Sequence, residues 1–176
     1  LVLTKPLGTG VLFNACRSGK LPWRDLEPIL PQVASLNKKG IETALKFDIH
    51  ACTDVTGFGI VGHALEMAKG SGVQINLFYD KLPFHPHALQ MYRRGETTGS
   101  NEANRRLAEG FFKKMKSLSA AEEELLFDPQ TSGGLLLAAP SAQADRLVIE
   151  LRKVNIGTAV LVGEVTASTQ TSVCIL

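Results

Sequence analysis

The sequence has no block of like charge: 19 Lys and Arg stand against 17 Asp and Glu, leaving a net charge of +2. Gripping a polyanion or a membrane surface by electrostatics alone needs such a block, so neither nucleic acid nor membrane is an expected partner. Long apolar runs are missing as well. The mostly apolar stretch from Gly133 to Pro140 is far short of the roughly 20 residues that span a bilayer. Cysteine is sparse: Cys16, Cys52 and Cys174 are odd in number, scattered and in no CxxC pair, which excludes a disulfide framework and fits a reducing, cytoplasmic compartment. They are expected to pack as small hydrophobes. There is no internal repeat and no low-complexity tract. No initiator Met or signal-peptide layout precedes the apolar run at Leu1, so a piece of a longer polypeptide is expected.

What is there is an ordinary globular composition, 44% hydrophobic and 20% charged over 176 residues. A chain of that length buries roughly 70% of the surface its unfolded form exposes, enough for one core without metals or disulfides. Residues 1–176 are therefore read as a single domain. Leu1 to Thr4 and Val11 to Phe13 read as short strands around the turn-forming Lys5-Pro6-Leu7-Gly8-Thr9-Gly10. After a turn or two of helix limited by Pro28 and Pro31, the three- and four-residue spacing of Val33, Leu36, Asn37, Gly40, Ile41, Ala44 and Leu45 predicts a helix over 32–47. Gly40 lies on its apolar stripe, where close approach of another backbone would compensate its lost propensity.

Ile49 to Val55, Phe58 to Lys69 and Val73 to Phe78 read as a β-α-β succession. A short helix bounded by Pro83 and Pro86 ends near Arg94, a polar loop covers 95–101, and Ala103 to Lys116 is amphipathic. Leu135 to Ala139 reads as a buried strand, Ala144 to Val154 as a helix, and Ala159 to Val165 and Ser172 to Leu176 as closing strands. The irregular order predicts an α+β domain, a mixed β-sheet covered by helices.

Three segments could carry chemistry. Gly57-Phe58-Gly59-Ile60-Val61-Gly62 has the G-x-G-x-x-G spacing of a dinucleotide site, with Asp80 after the next strand. The segment before it, His50 to Thr56, is polar where a central parallel strand should be apolar, so glycines that merely let a helix pack closely are the stronger reading. Asp54 stands in a strand-like run just before that turn. It could cap the following helix, or it could hold a divalent cation while the helix start attracts phosphate oxygens. Asp128-Pro129-Gln130-Thr131-Ser132-Gly133-Gly134 could form an anion-binding concavity or an Asx-type turn. No complete Walker sequence occurs. His85 and His87 are expected to be exposed loop histidines, and His63 a partly buried helix residue. Arg93, Arg94, Arg105 and Arg106 fit solvated helix ends better than phosphate partners. No Ser/His/Asp or Cys/His nucleophilic grouping is visible.

Taken together, Leu3-Thr4-Lys5-Pro6-Leu7-Gly8-Thr9-Gly10, His50-Ala51-Cys52-Thr53-Asp54-Val55-Thr56-Gly57-Phe58-Gly59 and Asp128 to Gly134 resemble, in order and spacing, the selenophosphate synthetases, selenide, water dikinases of the aminoimidazole ribonucleotide synthetase superfamily. The resemblance covers essentially the whole chain, and only the C-terminal domain of that family. It implies a C-terminal half that contributes to making selenophosphate, AMP and phosphate from selenide, ATP and water, with Mg2+ bridging the ATP phosphates. Asp54 matches the one metal-binding aspartate of that domain, and Thr9, Gly10, Thr131, Ser132 and Gly133 would face the nucleotide across an interdomain cleft. The resemblance also implies an N-terminal ATP-binding half that is absent, inactivity of this piece alone, and a homodimer in the full-length enzyme. The family's nucleophile-bearing Cys or selenocysteine segment has no counterpart here, and relatives read Gly-Gly-Thr where this chain has Gly99-Ser100-Asn101. The alternatives are a nicotinamide-dinucleotide-binding domain and a non-catalytic docking domain.

Overall fold

A computed structural model describes residues 1–168 and 172–176. The elements run β1 (Val2–Leu3), α1 (Thr9–Arg17), α2 (Trp23–Leu26), α3 (Leu30–Ala34), α4 (Lys38–Ala44), β2 (Ala51–Asp54), α5 (Gly59–Ser71), β3 (Val73–Leu77), α6 (Ala88–Arg93), α7 (Asn101–Ala108), β4 (Phe112–Lys114), α8 (Ala120–Phe127), β5 (Leu135–Ala138), α9 (Ser141–Lys153), β6 (Val160–Leu161), β7 (Gly163–Ala167) and β8 (Val173–Ile175). The α+β class holds, with the strands divided between two four-stranded sheets among the described residues. The first, in order β2-β5-β1-β6, is antiparallel throughout; the second, β4-β8-β3-β7, mixes parallel and antiparallel pairs. The chain changes sheets at buried Val162, between β6 and β7. Gly163 follows because a Cβ there would lie 2.1 Å from the Asn76 carbonyl oxygen.

The burial of β5 explains its even run of Leu135, Leu136, Leu137 and Ala138: it is the inner strand between β1 and β2, with both faces covered. One face meets α5, whose Ile60, Val61, Ala64 and Ala68 are fully buried with Leu136, Phe127, Ile75 and Leu77. The other meets α9 through Leu137, Leu147 and Leu151. A separate cluster joins Val11, Leu12 and Ala15 of α1 to Met91, Tyr92 and Leu125.

Several sequence expectations are corrected. Residues 11–13 are helical, because Gly8 and Thr9 donate their N–H groups to Gln130 and Gly10 and Val11 donate theirs to Asp128, a cap supplied from over a hundred residues away. The helix expected over 32–47 breaks at extended Ser35, where the Lys5 ammonium draws the Val33 and Ser35 carbonyls out of helical pairing. Leu36, placed on the apolar stripe by its spacing, is 81% exposed. Gly40 is approached by the side chains of Leu135 and Ile156, not by backbone. The amphipathic stretch 103–116 contains the end of α7 and then strand β4. Strands β2 and β3 belong to different sheets, so the β-α-β succession is not a parallel crossover unit.

Candidate functional site

Asp54 is the last residue of β2, opposite Leu135 in the antiparallel register. Its side chain is exposed, while the following Val55 is fully buried and pins the corner to the core. The Val55 N–H donates to the Gly134 carbonyl at 2.8 Å, so the end of β2 and the 132–134 loop are one surface. Gly133 is required there: a Cβ would stand 1.9 Å from the Val55 carbonyl oxygen. Among the described residues, no Lys, Arg or His ion-pairs with the Asp54 carboxylate, and no group of three or more His, Cys, Asp and Glu is placed to hold a metal ion. The corner therefore offers one carboxylate free of ion pairs among the described residues.

The two loops singled out in the sequence do meet at this end of the first sheet, but much of their polar chemistry is used internally. Asp128 is fully buried and accepts from Gly10 N at 3.0 Å, Val11 N at 2.8 Å, Tyr92 Oη at 2.6 Å and Gln130 Nε2 at 2.8 Å. Burial pushes its carboxyl up to about 6, against the four donors that pull it down. The Tyr92 phenol is pushed up by burial and by the Asp128 charge, and so stays a donor. Gln130 Oε1 accepts from the Thr9 hydroxyl, and Thr9 Oγ1 in turn accepts from Thr131 N. The Lys5 ammonium spends all three donors on the carbonyls of Val33, Ser35 and Ser132, and burial lowers its pKa. Of the residues picked from sequence, Thr9 and Gly133 are buried and Gly10 is half-buried, whereas Thr131 and Ser132 are exposed beside Asp54. Ser132 has a φ of 48°, left-handed for a residue with a Cβ.

Of the glycines in Gly57 to Gly62, Gly59 and Gly62 have packing roles, while Gly57 is exposed with open space where a Cβ would stand. Gly59 has a φ of +70° and backs onto the main chain of Phe127, and Gly62 leaves room for the Phe58 side chain. Asn104, which no sequence motif singles out, donates to the Gly57 carbonyl at 2.8 Å and the Phe127 carbonyl at 2.9 Å, fixing the turn from below. His63 is buried between Thr56 and Glu66. His87 is exposed as expected, but His85 is buried, and burial lowers its imidazole to about 4. Asp80, the residue a dinucleotide ribose would need, pairs instead with Lys116.

A cleft of about 690 Å³ opens at the other end of β2, between the two sheets beside His50 and Ala51. Its charged side chains are Asp145 and Glu164, with no Lys or Arg. An acidic, largely apolar cleft repels a triphosphate, so the candidate site is the Asp54 corner.

Comparison with known proteins gives the family and the fold. The family described as AIR synthase related protein, C-terminal domain, matches residues 1–175. A selenide, water dikinase of Pelobacter propionicus is 40% identical over 166 residues, 94% of this chain and 47% of its own length. One from Treponema denticola is 38% identical over 86% of this chain and 42% of its own. The chain thus spans about half the length of the curated relatives it matches. Among solved structures, Escherichia coli HypE, a hydrogenase maturation protein, superposes with a TM-score of 0.64 at 20% identity over 99% of this chain and 44% of its own. Thiamine monophosphate kinase from Aquifex aeolicus gives 0.64 at 18% identity, covering 99% and 48%. These likenesses show the fold. No helix among the described residues is long and apolar enough to cross a membrane.

Proposed function

The chain belongs to the AIR synthase related protein C-terminal domain family, and on that premise we propose that it is the C-terminal half of a selenide, water dikinase. In that reading residues 1–176 form one domain that, joined to an N-terminal half, makes selenophosphate, AMP and phosphate from selenide, ATP and water in the cytoplasm, the full-length enzyme being a homodimer. The single observation that carries it is Asp54: a carboxylate exposed at the end of a rigid strand, free of any ion pair among the described residues. A group so placed fits a hard divalent cation, and Mg2+ bound there would neutralise and orient the phosphate oxygens of ATP. Asp54 would hold the cation rather than act as a base. Exposed Thr131 and Ser132 stand where a phosphate chain would pass. Thr9, Gly10 and Gly133 shape the loops from beneath. Leu36 and Phe58, 81% and 45% exposed at the same end of the molecule, supply apolar surface for the other half to cover.

The test joins this chain to the N-terminal half of a selenide, water dikinase and measures magnesium-dependent ATP turnover with selenide. Asp54→Ala should cut turnover by about 100-fold or more and change stability by less than about 0.5 kcal/mol, since the side chain is exposed. Undiminished turnover in Asp54→Ala removes the ligand assignment, and an inactive parent joined protein counts against the enzyme reading. Saturable NAD binding by the isolated chain would favour the dinucleotide alternative, which the separation of β2 and β3 between two sheets already disfavours.

A further inference from the structure

Most buried polar side chains of this chain have a hydrogen-bond partner that accounts for them. Thr43, inside α4 and only 4% exposed, does not. Its hydroxyl has no partner among the described residues, and makes no bond to the carbonyl one turn back, where a helical threonine ordinarily donates. No fully buried side-chain oxygen or nitrogen among the described residues lacks a partner, so this hydroxyl must reach open space. The space is a hollow of about 290 Å³ between α4 and the end of α9, lined by Lys39, Glu42, Thr43, Lys46, Val154 and Asn155. A threonine in a helix has two χ1 positions open to it, so burial of the residue leaves the hydroxyl nearly fixed.

The charges around the hollow favour an anion. Lys39, Thr43 and Lys46 follow one another at intervals of four and three residues, on one face of α4 and the turn that ends it. The acids close by are already engaged: Glu42 pairs with Lys38 at 3.7 Å, and Glu150, one turn before Val154, with Lys153 at 2.7 Å. Lys39 and Lys46 are in no ion pair among the described residues. At the end of α9 the carbonyls of Leu151 and Arg152 accept from the N–H groups of Val154, Asn155 and Ile156, which takes up the acceptors that would oppose an anion there. Two ammonium groups, one unused hydroxyl and the Asn155 carboxamide therefore meet at one hollow.

We propose that this hollow binds a small phosphate-type oxyanion, with Thr43 Oγ1 and the Asn155 side-chain amide as donors and Lys39 and Lys46 as the neutralising charges. A tetrahedral oxyanion supplies acceptors for both neutral donors, and an ammonium is the point charge that suits phosphate. The volume stands near the lower end for ligand pockets, roughly 300 Å³, which suits inorganic phosphate or one phosphoryl group of a larger molecule. The site shares no residue with the Asp54 corner and stands whether or not that carboxylate holds a cation.

Amide ¹H–¹⁵N spectra of the 176-residue chain, titrated with inorganic phosphate against sodium chloride at equal ionic strength, test it. Phosphate should give saturable shifts confined to residues 38–46 and 153–156. Thr43→Val keeps the shape of the side chain and removes the hydroxyl, so half-saturation should need about tenfold more phosphate. Thr43→Ser should titrate like the parent, and Lys39→Gln combined with Lys46→Gln should abolish saturation. AMP provides the second arm: saturation of the same amides at lower concentration than phosphate supports the site with a nucleotide phosphate as its source, and saturation by phosphate alone supports it with the free ion. Shifts that chloride reproduces, shifts scattered over lysines elsewhere, or a Thr43→Val titration equal to the parent's overturns the proposal. If Thr43→Val does not fold, the double lysine variant, altered only at exposed side chains, decides: an unchanged phosphate titration there refutes the site.

Discussion

Replacing Asp128 with asparagine separates two forces that act against each other at one atom group. The carboxyl has no exposed surface, so burial disfavours its charged form, while four donors favour it. Burial dominates: the group moves from an ordinary 3.8 to about 6 in the folded chain. The folded protein then holds a proton on Asp128 over a pH range in which the unfolded chain has released it. Stability falls wherever the native state binds more protons than the unfolded state and pH rises, so this group's contribution is complete below about pH 4 and is lost by about pH 6 to 7. A shift of roughly two units corresponds to roughly 3 kcal/mol. The amide introduced by Asp128→Asn cannot titrate, so the difference in unfolding free energy between the parent and this variant isolates the effect from every other acid. Urea unfolding followed by circular dichroism at steps from about pH 4 to about pH 8 should show the parent's advantage shrinking by about 3 kcal/mol as pH rises. A difference that stays constant or grows over that range would refute the reasoning, because it would mean that the two helix N–H groups, Tyr92 and Gln130 outweigh burial.

Three further substitutions probe the same scaffold. Gly133→Ala forces a methyl against the Val55 carbonyl oxygen, which is backbone and cannot step aside, so thermal or urea unfolding should report a loss of about 3 kcal/mol or failure to fold. Asn104→Ala leaves the Gly57 and Phe127 carbonyls without their donor and should cost about 1–3 kcal/mol in the same assay. Tyr92→Phe removes one of the four donors to Asp128 and should lower stability by about 1–2 kcal/mol, while moving the pH range of the Asp128 effect upward.

Elements whose hydrophobic period is set locally were legible in the sequence. Helix α9 buries one stripe, helix α5 is apolar enough to be buried all round over residues 59–65, and β5 is apolar throughout because it is covered on both sides. Elements whose ends are decided from afar were not. The residues of α1 carry no N-cap of their own, and their strand-like run becomes helix only because Asp128 and Gln130 satisfy its first amides. The Ser35 break has the same origin in Lys5, a residue that reads as an ordinary surface cation until its three carbonyl partners converge on it. Helix α8 had a readable start, the capping box of Ser119 and Glu122, but its consecutive Leu125, Leu126 and Phe127 show no single stripe because three sides of its last turn are buried. The partition into two sheets turns on Val162, and nothing in the run from Ala159 to Val165 marks where the chain steps between them.

The same division runs through the candidate site. Asp54 stands out in the sequence because a carboxylate in a strand-like run is chemically out of place, and the structure shows it exposed at the end of β2. The residues around it could not be ranked, since Thr9, Gln130, Thr131, Ser132 and Asp128 are alike in being small polar groups in loops. The structure ranks them by what their atoms already hold. Asp128, Gln130, Thr9 and Lys5 are saturated with internal partners, which makes the loop pair rigid and leaves those groups nothing to offer a ligand. Much of the motif therefore holds the two loops to each other, and Asp54, Thr131 and Ser132 are the exposed residues it leaves at that corner.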